Sequence, residues 1–136
     1  MRTKTCLLLI TMNLLAIGRT EFAVAACDPV AGQKVYNKCR ACHSLEPATQ
    51  LMGPSLYDVI GRRAGSVDSF NYSPAMAQAD LVWDEGNLDA FLDSPQETVP
   101  GNVMPFSGLK SREQRENLLC FLRDMNTASD NTHPRD

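Results

Sequence analysis

Cys39-Arg40-Ala41-Cys42-His43 is the stretch that decides how this chain is read. Two thiols three residues apart are followed at once by an imidazole. At the end of a helix, that spacing lets both sulfurs reach two vinyl groups on one edge of a porphyrin, with the imidazole falling beneath the metal. C-x-x-C-H is accordingly the attachment signature of a c-type haem, with Cys39 and Cys42 as thioether donors and His43 as proximal ligand. Three other chemistries use the same residue types. A dithiol redox pair expects a strand ahead of the motif, whereas helix signals precede it here. A zinc site needs two further ligands, and the only other histidine, His133, lies in a polar tail. A disulfide between Cys39 and Cys42 is the plain structural alternative.

Upstream of the motif, residues 1–26 read as a cleaved secretory signal. Arg2 and Lys4 supply a positive start, and Cys6–Ile17 is a mostly apolar run of 12 residues. Gly18, Arg19 and Glu21 break that run, and Ala23-Val24-Ala25-Ala26 supplies small residues for cleavage after Ala25 or Ala26. The run is shorter than the ~20 residues that span a bilayer, so no stable membrane insertion is expected. The alternatives are an uncleaved anchor and a lipid on Cys27. Cleavage removes three basic residues and one acid, leaving 110 residues with 10 Lys+Arg against 15 Asp+Glu, a net charge of −5. It also removes Cys6, leaving four cysteines in an exported, oxidising setting. The predicted location is the bacterial periplasm.

The whole chain has 136 residues, 43% of them hydrophobic, with a net charge of −3. Such a composition excludes a disordered chain and, lacking a basic excess, a phosphate-held nucleic-acid binder. One domain is expected, over residues 27–125, followed by a polar, mobile tail over 126–136. Helix signals dominate. Asp28-Pro29 predicts a helix to about Lys38, and Ser73-Pro74 a short one to about Ala79. Asp84 opens a third, with Leu88, Phe91 and Leu92 on one face and Pro95 as its stop. Ser111 and Gln114 form a capping box for the last helix, whose apolar stripe is Leu118, Phe121, Leu122 and Met125. Residues 44–72 and 93–110 read as loops, and no stretch alternates well enough for a strand. Loops of that length in so small a domain point to a bound group at its centre.

With these pieces in place, the chain resembles the class I c-type cytochromes, in particular the mitochondrial type and its bacterial photosynthetic-type relatives. The resemblance covers about residues 30–125. It rests on Gly32, Tyr36 and the Cys39–His43 motif, then Gly53-Pro54-Ser55-Leu56, Gly61-Arg62, Phe70-Asn71-Tyr72-Ser73, Trp83, Pro100-Gly101-Asn102-Val103-Met104 and Phe106. It implies an all-α cytochrome c fold of three to five helices with long loops wrapped around one covalent haem c. It implies that the Pro54 carbonyl accepts a hydrogen bond from the His43 ring, that Met104 is the second axial ligand, and that Arg62, Tyr72, Ser73 and Trp83 contact the propionates. Phe106 then lies beside the haem edge. Arg63 is read as merely solvated. Among the methionines of the mature chain, Met125 belongs to a helix stripe and Met76 to a short helix. Met52 follows His43 by only nine residues, in the loop that must first turn back. Three positions depart from the family pattern: Phe91 replaces a tyrosine, Met76 an asparagine, and Asn102 a threonine.

The resemblance implies a soluble, monomeric one-electron carrier, not an enzyme, with His43 and Met104 as its metal ligands. The alternative is a haem peroxidase or ligand sensor in which Met104 dissociates. Expected partners are redox proteins that dock at the exposed haem edge near Cys42, Val103 and Phe106: a periplasmic dehydrogenase, a respiratory or photosynthetic complex, or a terminal oxidase. The family's lysine ring there is reduced to Lys38, with Gln96, Glu97 and Val103 at other matching positions. A net charge of −5 then favours a basic or apolar dock. Cys27 and Cys120 are left over, on first and last helices that pack together in the family. They form either a disulfide closing a loop of ~90 residues or two separate buried thiols.

Overall fold

A computed structural model describes residues 27–132. The signal segment with Cys6, and His133 in the tail, lie outside the described residues. Five helices follow one another: α1 (Pro29–Tyr36), α2 (Pro74–Ala77), α3 (Glu85–Asp93), α4 (Pro95–Thr98) and α5 (Arg112–Thr132). Each of the first three starts where a side chain stands in for a missing backbone acceptor. Asp28 accepts from the amides of Val30 and Ala31, Ser73 from Met76, and Asp84 from Asn87. Ser111 Oγ accepts from the Gln114 amide at 3.4 Å at the start of α5.

Two elements differ from the sequence reading. Pro95 does end α3, but it also opens α4, because proline needs no amide partner at the first helical position. Residues 93–110 are therefore not all loop. The last helix does not stop at Asn126 but runs to Thr132. Polarity there ends the buried stripe, not the helix, since no glycine or proline intervenes.

The core forms where α1 crosses α5. A Cβ on Gly32 would collide with the Asn117 carbonyl and the Phe121 side chain, so only glycine allows this approach. Around the crossing, the Asp28 amide donates to Asn117 Oδ1 at 2.8 Å, and the Tyr36 and Phe121 rings lie 5.7 Å apart. Leu118, Leu119, Phe121 and Leu122 from α5 are buried with Val35, Leu88 and Phe91. Burial of these apolar faces is the main stabilising contribution. Arg115, buried in α5, donates to Asp89 at 2.7 Å, to Asp93 at 3.0 Å and to the Leu109 carbonyl at 2.8 Å. One guanidinium thus fastens α3, α5 and the end of the intervening loop.

Of the two fates open to Cys27 and Cys120, the structure has the disulfide, with Cα atoms 5.9 Å apart across 93 residues of sequence. In the chain-entropy account a loop of that length is worth about 4–5 kcal/mol. Replacing both cysteines with alanine is expected to lower the unfolding free energy by several kcal/mol in denaturant titration. Thiol titration of the denatured, unreduced holoprotein is expected to find no free thiol apart from any uncleaved Cys6.

Candidate haem-binding site

The motif lies immediately after α1. From Tyr36 onward the chain continues in tight turns: the Cys39 amide donates to the Tyr36 carbonyl at 2.7 Å, and the Cys42 and His43 amides to the Cys39 carbonyl at 2.9 and 3.0 Å. The helix expected to reach Lys38 therefore gives way at Tyr36 to turns that carry both sulfurs and the imidazole. Cys39 and Cys42 are unpaired and partly exposed. Burial pushes the Cys39 thiol up, and Lys38 opposes that shift.

His43 is held from three directions. Its Nδ1 lies 2.7 Å from the Pro54 carbonyl. A carbonyl only accepts, so Nδ1 carries the proton and Nε2 keeps a free lone pair. Burial lowers the imidazole's affinity for a proton, with the Pro54 bond opposing, and a neutral ring is the form that binds metal. The Tyr36 hydroxyl donates to the His43 carbonyl at 2.6 Å. Gly53 is buried against the ring, and a Cβ there would come within 2.7 Å of Nδ1 and 2.9 Å of Nε2. The tyrosine and the glycine were visible in the sequence only as family-matching letters. Their roles depend on a fold that brings residues 36 and 53 to 43.

A second group gathers beyond the Pro54 loop. Arg63 and Val82 form an isolated antiparallel bridge. Flanking bonds run from the Trp83 amide to the Arg62 carbonyl at 2.8 Å and from the Ala64 amide to the Leu81 carbonyl at 2.9 Å. Side chains alternate across such a pair, so Arg62, Ala64, Leu81 and Trp83 point inward while Arg63 and Val82 face solvent. That alternation separates the two adjacent arginines. Arg63 makes only an exposed ion pair with Asp80 at 3.0 Å. Arg62 is half-buried, its guanidinium donating to the carbonyls of Tyr57 at 2.6 Å and Ser55 at 2.8 Å. Tyr72 lies in its field: burial raises the phenol pKa, and the Arg62 charge opposes that. Trp83 is buried on Phe91, with ring centroids 4.9 Å apart. The Ser73 hydroxyl is engaged as the cap of α2, accepting from Met76 at 3.2 Å.

Met104 and Phe106 come from the loop between α4 and α5, both half-buried against the core. The Phe106 amide donates to the Met104 carbonyl at 2.8 Å. Asn102, two residues ahead of Met104, is buried and fully hydrogen-bonded. Sequence reading registered it only as a departure from the family's threonine.

No family model matches the chain. Curated relatives do. A cytochrome c2 from Rhodomicrobium vannielii is 44% identical over 101 residues, covering 74% of this chain and 81% of the relative. This chain is a class I c-type cytochrome. A cytochrome c-554 from Methylosinus trichosporium is 41% identical over 74% of the chain and 76% of the relative. Among solved structures, cytochrome cH from Methylobacterium extorquens superposes with a TM-score of 0.68 at 33% identity, covering 71% of this chain and 98% of that one. The expected all-α cytochrome c fold holds, and haem c bound covalently is the cofactor the family implies.

The residues present fit that group. Two unpaired thiols adjoin an imidazole with one nitrogen committed and one free. Half-buried apolar side chains, Leu45, Leu56, Ile60, Leu92, Met104 and Phe106, pack against the buried core and suit a large flat apolar ring. Among the described residues no three His, Cys, Asp or Glu side chains converge on one position. Substituting Gly53→Ala is expected to force the His43 ring off the Pro54 carbonyl. Overpacking of this kind costs about 1–3 kcal/mol, readable as a lower denaturant midpoint of the holoprotein.

Proposed function

We propose that the chain is a periplasmic one-electron carrier whose haem c is joined through Cys39 and Cys42 and ligated by His43 and Met104. The observation that carries this reading is the His43 ring, locked by its Nδ1 bond to Pro54 directly beside two unpaired thiols. A ring so held presents Nε2 in one direction only, and a hydrogen-bonded imidazole is a stronger donor to metal. When bound, the iron exchanges one electron at a time between Fe(II) and Fe(III). The Met104 thioether would favour Fe(II) and raise the potential. Held by both His43 and Met104, a bound haem would offer no open position to a substrate, so no enzymatic role is assigned.

Met104 is read as the sulfur ligand because its loop matches the family's ligand loop, while Met76 belongs to the short helix α2. Met52 is 76% exposed and Met125 39% exposed. Arg62, its fork already fixed by two carbonyls, is read as a propionate partner together with Tyr72, Ser73 and Trp83. A fixed guanidinium suits a carboxylate because little freedom is lost on pairing. The export reading rests on residues 1–26. Among the described residues, no helix is long and apolar enough to cross a membrane.

Partners are read as redox proteins. Val103 beside Met104 is 77% exposed, Leu51 48% and Met52 76%, while Gln96 and Glu97 are exposed too. Lys38 Nζ is occupied by Gln114 Oε1 at 3.0 Å. Exposed apolar side chains on a chain whose net charge becomes −5 once residues 1–26 are removed favour a basic or apolar dock. Electron transfer to a basic redox partner is expected to slow as salt is added; acceleration by salt would contradict this dock. A pyridine haemochrome spectrum of the purified protein should show a c-type band. Met104→Ala should abolish the far-red sulfur-to-iron(III) band and lower the reduction potential. Carbon monoxide binding to the reduced wild type at neutral pH would instead favour the sensor or peroxidase reading.

A further inference from the structure

The loop that carries Met104 has almost no regular structure, yet one side chain at its centre is buried and satisfied at every polar atom. Asn102 is 6% exposed. Its Nδ2 donates to the Pro95 and Val99 carbonyls, both at 2.8 Å, and its Oδ1 accepts from the Met104 amide at 3.1 Å. Its backbone is paired as well: the amide donates to the Val99 carbonyl at 3.1 Å, and the carbonyl accepts from Gln96 Nε2 at 2.8 Å. Gln96 Oε1 then accepts from the Gly101 amide at 3.3 Å. The two amide side chains thus strap residues 101–104 onto α4 from inside and outside.

We infer that Asn102 is the positioning residue of the sulfur ligand: it locks the Met104 backbone to α4 and so holds the loop closed against other ligands. This rests on the reading of Met104 as axial ligand. The chemistry explains why an amide occupies the position. A hydroxyl has one hydrogen to donate, whereas the carboxamide donates twice and accepts at the same time. Only the amide spans the carbonyls of Pro95 in α4 and of Val99 just after it, together with the amide of Met104. Its removal leaves the Met104 N–H without its partner and the Pro95 and Val99 carbonyls with one backbone donor each, a cost avoided only when the loop opens to water. α4 is joined to α3 through Ser94, whose amide donates to the Ala90 carbonyl of α3 at 3.0 Å and whose carbonyl accepts from the Thr98 amide of α4 at 3.0 Å. Met104 is therefore referred through Asn102 to the helical framework.

The test uses ferric holoprotein and imidazole as the competing ligand, followed by the far-red sulfur-to-iron(III) band. Wild type should show the band and bind imidazole weakly. Asn102→Ala should retain covalent haem, weaken the band and bind imidazole at least about tenfold more tightly, since the open loop becomes more populated. Gln96→Ala, at an exposed position, should shift affinity in the same direction by less. Leu118→Val, in the core of α5, should lower the unfolding midpoint and leave imidazole affinity unchanged. Equal shifts in Asn102→Ala and Leu118→Val would reduce the effect to general destabilisation and overturn the inference, as would an unshifted Asn102→Ala. If Asn102→Ala yields no holoprotein, an unshifted Gln96→Ala overturns it. A wild type without the band overturns the Met104 ligation and this inference with it; a normal wild-type band with an unshifted Asn102→Ala overturns the positioning role alone.

Discussion

Gly32 lacks a side chain, and the backbone of α5 occupies the space where one would be. The position of the motif depends on that close approach. α1 is only eight residues long, too short to be stable as an isolated helix. Its direction is set by contact with α5, through the Asp28–Asn117 bond, the Tyr36–Phe121 ring pair and the Cys27–Cys120 disulfide. Tyr36 then serves twice, packing on Phe121 and donating its hydroxyl to the His43 carbonyl. The helix crossing and the imidazole are thereby part of one framework, with a single aromatic side chain between them.

A division of labour follows along the chain. The helical residues build a rigid frame, and the long loops supply most of the side chains proposed to face the haem. The loops are ordered by point contacts instead of regular ladders: Ser55 Oγ donating to the Glu46 carbonyl at 2.7 Å, Arg62 between the Tyr57 and Ser55 carbonyls, Asn102 between α4 and Met104. Each polar side chain closes a few backbone groups that would otherwise be unsatisfied. This is how so little secondary structure is compatible with a defined site.

What could be read in advance was what is local. Asp28, Ser73, Asp84 and Ser111 announce helix starts because a cap needs only its next three residues. Cys39, Cys42 and His43 point to haem attachment on their own because the thioether and imidazole geometry it needs is contained in five residues. Pro95 was ambiguous for the same reason: a proline that stops one helix is equally suited to begin the next. The Arg63–Val82 bridge is too short to leave an alternating pattern, so the inward turn of Arg62 came from family resemblance and not from periodicity. Gly53 and Asn102 were legible only as letters, since the meaning of each lies in atoms distant in sequence or in a loop whose path no local rule specifies.

The bridge between Cys27 and Cys120 also has a mechanical side. It joins Cys27, two residues before α1, to the middle of α5, so every residue proposed to hold the haem lies inside one covalent ring. Tension applied at the two ends of the described chain passes through the sulfur–sulfur bond and not around the ring. Only the part of α5 beyond Cys120 can extend under load, and the loops bearing His43, Arg62 and Met104 are bypassed. A backbone cut within the ring likewise leaves both pieces attached. The electron-carrying part of the molecule is thus insulated from whatever pulls on its termini.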